Sequence, residues 1–87
     1  MSNAFVIHEK DDVVTVTEAI PKGGTVSFDL GPDTVNIAAV TDIPKYHKMA
    51  IHNVRQSDPV YKYGEVIGRA TKDIVIGEHV HTQNLED

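Results

Sequence analysis

The sequence contains no cysteine and no tryptophan, and its only aromatic residues are three tyrosines and two phenylalanines. Without cysteine the chain cannot form disulfides, zinc–thiolate sites or a thiol nucleophile. No apolar run approaches the roughly 18 residues of a membrane-spanning helix, and no basic segment followed by an apolar one forms a leader. We therefore expect a cytoplasmic protein without a membrane partner.

Positive charge is also scarce, since 8 lysines and arginines face 13 acidic residues and the formal net charge is -5. No basic stripe is present, which argues against nucleic acid and anionic membranes as partners. A small acidic ligand could still bind where a few cations are concentrated. Lys45, His47 and Lys48 form one such cluster.

The length of 87 residues predicts a single domain over 1–87. A domain of this size buries only roughly 60–65% of the surface that its unfolded chain exposes. Any pocket is therefore expected to be shallow or shared with another chain. The segment Ser2–Ala4 resembles residues left by an expression vector, and no prediction rests on it.

The dominant pattern is alternation of apolar and polar residues. In Thr25–Leu30 every second residue is apolar, which is typical of a half-buried strand. The turn signal Gly31–Asp33 follows, so we predict a hairpin of Thr25–Leu30 with Thr34–Ala38. The β-branched segment Val13–Thr17 predicts another strand.

No segment predicts a helix longer than a single turn, and only Asn36–Val40 and Arg69–Lys72 are candidates for one. Many short strands separated by frequent turns indicate a small all-β domain.

A weak repeat organises the chain: an aliphatic residue, a turn, and a second aliphatic residue six positions on. Four segments fit it: Ile20–Val26, Ile43–Met49, Val54–Val60 and Ile74–Val80. Because side chains alternate across a strand, we predict that the second aliphatic residue of each unit faces the core. Its neighbours should then face away, and these include Lys48 and Ala50, Pro59 and Tyr61, and His79 and His81.

The repeat places His79 and His81 on one strand face, with Cα atoms roughly 7 Å apart. Two such imidazoles can share one metal ion, or one can orient a substrate while the other moves a proton. A pair of solvated surface histidines has the same spacing, and spacing alone favours that simpler interpretation. We expect His8 to be exposed and His52 to be a structural or surface residue. Gly64 and Gly68 would permit positive φ or close approach of a chain or ligand.

Three collinear motifs carry a resemblance to a known family: "DIPKYHKMAI", "KYGEVIGRA" and "GEHVHTQN", all within Ile43–Asn84 apart from Asp42. Together they resemble the SAF-type small module of the altronate and galactarate dehydratases, which is similar to the antifreeze-like domain of sialic acid synthases. Two positions depart from the family pattern. Tyr46 stands where the pattern has glycine, and Gln83 stands where histidine is common.

The resemblance implies a β-clip fold and a lyase that removes the proton α to a carboxylate and expels the β-hydroxyl. A related branch, the sulfolactate sulfo-lyases, eliminates sulfite by the same logic. Altronate, galactarate, sulfolactate or another hydroxy acid are all open as substrates. The resemblance also implies a large catalytic subunit, without which this chain is inactive, and a divalent metal, often iron, held mainly by that subunit. A homo-oligomer is compatible as well.

The resemblance assigns roles to residues. It implies that His79 and His81 are catalytic, with metal contact by either left open. It implies that His47 and Lys48 bind the substrate carboxylate, and that Lys62, Tyr63 and Gly64 line the junction with the large subunit or the substrate. Two other functions compete with this one: a stand-alone sugar-acid-binding module, and a purely structural subunit.

Overall fold

The computed structural model describes residues 2–5 and 10–86, and all regular structure in this part of the chain is β. The strands are β1 (Ala4–Phe5), β2 (Val13–Val16), β3 (Thr25–Leu30), β4 (Asp33–Ala38), β5 (Lys48–Ala50), β6 (Pro59–Lys62), β7 (Glu65–Ala70), β8 (His79–Val80) and β9 (Leu85–Glu86). The predicted all-β class is therefore confirmed.

These strands form three antiparallel sheets, in the orders β1-β2-β5-β8, β3-β4 and β6-β7-β9. The predicted hairpin is present as β3 and β4, with Thr25 opposite Ala38 and Leu30 opposite Asp33. Its second strand begins one residue earlier than expected. Its two-residue connection needs the left-handed conformation of Gly31, at φ 62°, which suits glycine because it has no Cβ.

The two expected single helical turns were wrong. Residues 36–38 extend β4, and residues 69–70 end β7. Pairing with a neighbouring strand supplies hydrogen bonds along these strands, and this outweighs a weak local preference for a turn.

The four-stranded sheet separates two hydrophobic cores. Val14 of β2 and Met49 of β5 face the first core, whereas Val13 and Ala50 face the second. The expectation that Ala50 would face away from the core was therefore wrong, because β5 is covered on both faces. In a chain with a single core, every second residue of β5 would be exposed. This chain has two cores, one on each face of the strand.

The repeat predicted the inward residues correctly: Val26, Met49, Val60 and Val80 are all at most 1% exposed. The repeating units also pair with one another, because Ile20 bridges Ile43 and Val54 bridges Ile74.

In three of the four repeating units the residue just before the bridging aliphatic residue is polar. Its side chain accepts a hydrogen bond from a backbone amide in the turn of the unit with which it pairs. Asp42 accepts from the Lys22 amide, and Asp73 accepts from the Gln56 amide. Asn53 likewise accepts from the Ile76 amide at 2.8 Å. The fourth position is Ala19, whose side chain has no acceptor.

Ala4 pairs with Val16 in β1, and the Asn3 side chain accepts from the Ser27 amide at 2.8 Å. Residues 3 and 4 thus take part in the fold. Within residues 2–5 and 10–86 no helix is long and apolar enough to cross a membrane.

Candidate functional site

Three imidazoles converge where β5 meets β8. His79 lies in β8, His81 follows it, and His47 precedes β5. The register pairs Met49 with His79 and Lys48 with Val80. Continuing it by one residue brings His47 opposite His81, and alternation puts all three rings on one face.

The rings are close enough to act together. His47 Nδ1 lies 2.9 Å from His79 Nε2. Ring centroids are 4.7 Å apart for His47 and His81, and 5.7 Å apart for His79 and His81. One nitrogen from each ring lies within 4.8 Å of the other two. His47 and His79 are half-buried and His81 is exposed, so the cluster opens to solvent on one side.

The surroundings of His79 favour its neutral form. Burial lowers the pKa of His79 below its ordinary value, and the neighbouring His47, His81 and Lys48 lower that pKa further. A neutral imidazole keeps one nitrogen lone pair. His79 is therefore suited to accept a hydrogen bond or to bind a metal ion at neutral pH.

The side chain of Lys48 lies on a different face of the sheet from the one predicted. The repeat gave Lys48 and His79 equivalent positions, so both were expected to leave the core in the same sense. The register instead puts Lys48 opposite Val80, and hence on the other face of the sheet from His79. That prediction was wrong because the repeat contains no information on strand pairing. The charge of Lys48 still acts on His79.

A buried asparagine holds His79 and His81 in place. Asn84 is fully buried. Its Oδ1 accepts from the His81 amide at 3.0 Å, and its Nδ2 donates to the His79 carbonyl at 2.9 Å. Thr41 adds support, since its hydroxyl accepts from the His79 amide at 3.0 Å. Sequence reasoning assigned neither residue a role. The motif included Asn84, and a polar residue closing a tight turn after a histidine pair was the available signal.

Tyr46 occupies a conformation that favours glycine. Its φ is 66°, in the left-handed region, where a residue with a Cβ costs roughly 1–2 kcal/mol. This accounts for the glycine at this position of the family pattern. Tyr46 is 67% exposed, and Lys45 Nζ lies 4.9 Å from the centroid of its ring.

Lys62, Tyr63 and Gly64 lie elsewhere, at the turn joining β6 to β7. Tyr63 and Gly64 have φ of 59° and 75°, the two positive values of a type I′ hairpin turn. The Gly64 amide donates to Asp11 at 2.9 Å. Lys62 is only 5% exposed, and its ammonium lies 4.1 Å from the centroid of the Tyr63 ring. Among the described residues, no hydrogen bond or ring contact joins this group to the imidazoles, so its role in substrate binding stays a prediction.

Gly68 is needed for packing, because a Cβ there would collide with the Glu86 carbonyl of β9. His52 is exposed, as expected, and its Nδ1 lies 3.2 Å from Asp12 Oδ1. This pair borders an open cleft of about 470 Å³. His8 lies outside the described residues.

Known proteins are similar in sequence to this chain. The altronate/galactarate dehydratase SAF domain family matches residues 2–87. Altronate dehydratase from Bacillus subtilis is 37% identical over 86 residues, which cover 99% of this chain and 16% of that protein. The alpha subunit of (2R)-sulfolactate sulfo-lyase from Chromohalobacter salexigens is 36% identical over 90 residues, which cover 99% of this chain and 96% of that subunit.

Altronate dehydratase from Escherichia coli is 36% identical over 78 residues, which cover 15% of that enzyme. The chain thus spans a small fraction of the altronate dehydratases and nearly all of the sulfo-lyase subunit. On the match to residues 2–87, the chain belongs to the altronate/galactarate dehydratase SAF domain family.

Proposed function

We propose that this chain is the small subunit of a cytoplasmic lyase that carries out β-elimination on a sugar acid or a related hydroxy acid. The observation that carries the proposal is the convergence of His47, His79 and His81 on one open face. A relative of nearly the same length is named as the alpha subunit of a sulfo-lyase, which implies a partner subunit for that protein. A domain this small encloses no site, so its imidazoles would complete a site formed with a larger chain.

The imidazole cluster fits a divalent metal ion. Catalytic metal sites typically have three protein ligands and one open position, and imidazole suits iron, zinc, copper and nickel. The three nitrogens lie within 4.8 Å of one another, and the exposed side of His81 leaves room for a substrate. Such an ion, iron in the family expectation, supplies a Lewis acid for negative charge that develops on the substrate.

The chain's own groups would then divide the work. His47, His79 and His81 hold the ion, and the half-buried rings of the first two limit access of water to it. An imidazole that binds a metal has no lone pair left to accept a proton. In this proposal the base that removes the α-proton therefore belongs to the larger subunit, and the expected acid–base role of His79 and His81 is replaced by ligation. Lys48 contributes a positive charge that favours an anionic substrate.

The test is reconstitution. The chain would be co-expressed with a large dehydratase or sulfo-lyase chain from the same organism and assayed with altronate, galactarate and sulfolactate. We expect turnover of one of them by the complex and none by either chain alone. Replacing His47, His79 and His81 by alanine should abolish turnover, whereas His52→Ala, at the separate exposed histidine, should preserve it.

Other outcomes would contradict the proposal. Normal turnover by the triple variant in the complex would indicate a purely structural subunit. Saturable sugar-acid binding by the isolated chain, without any effect on a larger partner, would indicate a stand-alone binding module.

A further inference from the structure

Gln83 contacts His79 on the side of the ring that faces away from His47. Its Nε2 lies 3.3 Å from His79 Nδ1 and 3.3 Å from the carbonyl oxygen of His79. The carbonyl can only accept, so it fixes the nitrogen of the amide, rather than its oxygen, at this place. An amide nitrogen carries two hydrogens, and Gln83 can therefore donate to both atoms at once.

This contact determines where the proton of His79 lies. If Nδ1 accepts from Gln83, the single proton of the neutral ring is on Nε2. His79 Nε2 then donates to His47 Nδ1, 2.9 Å away, and the proton of His47 lies on its own Nε2. One exposed glutamine thus sets the tautomers of two of the three clustered imidazoles.

The same tautomer opposes metal binding. The cluster is reached by His79 through Nε2, the nitrogen beside His47, and a ligating nitrogen must be free of its proton. The proton has to move to Nδ1, which then requires an acceptor. Gln83 can supply one only by turning its amide over, which removes the bond to the His79 carbonyl.

We propose that Gln83 is a positioning residue that selects the tautomer of His79 and thereby lowers the affinity of the imidazole cluster for a divalent metal ion. Its effect on metal affinity rests on the metal centre proposed above. Residue 83 acts from behind the His79 ring, so it is not a fourth ligand.

Gln83→Glu is the matched substitution, because the side chain keeps its shape and its carboxylate can only accept. We expect the proton of His79 to move to Nδ1, and Zn²⁺ to bind about 10- to 100-fold more tightly than in the wild type, as for carboxylates behind metal-bound histidines. Gln83→Leu removes the hydrogen bonds of the amide to Nδ1 and to the carbonyl of His79, and it should leave His79 as a mixture of tautomers.

Two measurements test the inference. Long-range ¹H–¹⁵N spectra of the metal-free protein identify the protonated nitrogen of His79 directly, and calorimetric titration with Zn²⁺ gives the affinity. Gln56→Glu is the control, since it adds the same charge at an exposed glutamine whose turn is capped by Asp73. It should leave the His79 tautomer unchanged and the Zn²⁺ affinity within about 3-fold of the wild type.

The outcomes separate this inference from the proposed function. A wild-type His79 protonated on Nδ1, or an unchanged tautomer in Gln83→Glu, would overturn the positioning role. If the tautomer of His79 changes with the residue at position 83 but the protein binds no Zn²⁺, the selection of tautomer is supported and the metal centre is refuted. A tautomer shift with Zn²⁺ affinity no higher in Gln83→Glu than in Gln56→Glu would overturn the effect on metal affinity.

Discussion

His47 Nδ1 and His79 Nε2 lie 2.9 Å apart although 32 positions separate the two residues in the sequence. The pairing of β5 with β8 produces this contact, because it puts the residue before one strand beside the residues at the end of the other. Burial lowers the pKa of His79, and the neighbouring His47 and His81 lower that pKa further.

This lowered pKa predicts a pH-dependent stability. At a pH below 6.5, the ordinary pKa of histidine, the unfolded chain takes up a proton at His79 more readily than the folded protein does. Stability therefore falls as the pH drops through that range and is fully present above it. In EDTA, urea unfolding at about pH 8 and about pH 5.5 should show a smaller difference for His79→Gln than for the wild type. An equal difference in both proteins would contradict the prediction.

A second prediction concerns Asn84, whose buried side chain connects His79 to His81. Asn84→Ala removes two hydrogen bonds, leaving the His81 amide without this acceptor and the His79 carbonyl with only the longer bond from Gln83, which costs about 1–3 kcal/mol. We expect a lower free energy of unfolding in urea, together with broadened imidazole resonances of both histidines. Thr82→Ala, at an exposed position of the same turn, serves as the control. Sharp, unshifted histidine signals in Asn84→Ala would show that the clamp is unnecessary.

Tyr46→Gly should separate stability from function. Glycine relieves the left-handed strain at φ 66°, and after the entropy that glycine adds to the unfolded chain we expect a gain of up to about 1 kcal/mol. The variant also loses the exposed ring of the residue that precedes His47, and association with the proposed larger subunit should weaken.

The matched control for Tyr46→Gly is Ser57→Gly, at φ 77°. It should gain similar stability and keep normal association. Thermal unfolding and pull-down of the larger chain measure the two effects. A Tyr46→Gly protein that associates as tightly as Ser57→Gly would remove any role for the ring at the interface.

Ala19 gives a fourth prediction. Of the four residues that precede a bridging aliphatic residue, Ala19 alone has no side-chain acceptor for an amide in the turn of the paired unit. The amide that it would otherwise bond is that of Lys45. Ala19→Asp should add one hydrogen bond of the kind that Asp42 makes with Lys22 at 2.8 Å. The expected gain in the free energy of unfolding is about 0.5–1.5 kcal/mol.

Ala19→Ser offers a shorter acceptor and should give a smaller gain than Ala19→Asp. Chemical denaturation measures both variants. Loss of stability in Ala19→Asp would show that the hydrogen bond seen in the other three turns cannot form at this one.

Local patterns predicted the strands well and the site only in part. The alternation in Thr25–Leu30 and the inward side of Met49 follow from side-chain period alone, so a single sequence contains that information. The side on which Lys48 emerges depends on which strand pairs with β5, and no local pattern specifies that. The burial of Ala50 likewise depends on a second core, built from residues that lie far along the chain.

The family resemblance named the histidines, but it could not supply their geometry. It placed Lys62 with the substrate-binding residues, which stays a prediction, and the structure adds that its ammonium packs over the Tyr63 ring. It also left open what a glutamine does at position 83. Only the folded structure shows that this side chain faces Nδ1 of His79, on the far side of the ring from His47.

Val13 and Val14 are adjacent in the chain, yet each is buried in a different hydrophobic core. Neither core can come apart without displacing the strand that they share, so the domain should open all at once rather than by halves. The imidazoles are attached to β5 and β8 of that same central sheet. The backbone on either side of the imidazole cluster is therefore held by the same sheet, and a ligand meets the rings brought together in advance, which lowers the entropy lost on binding.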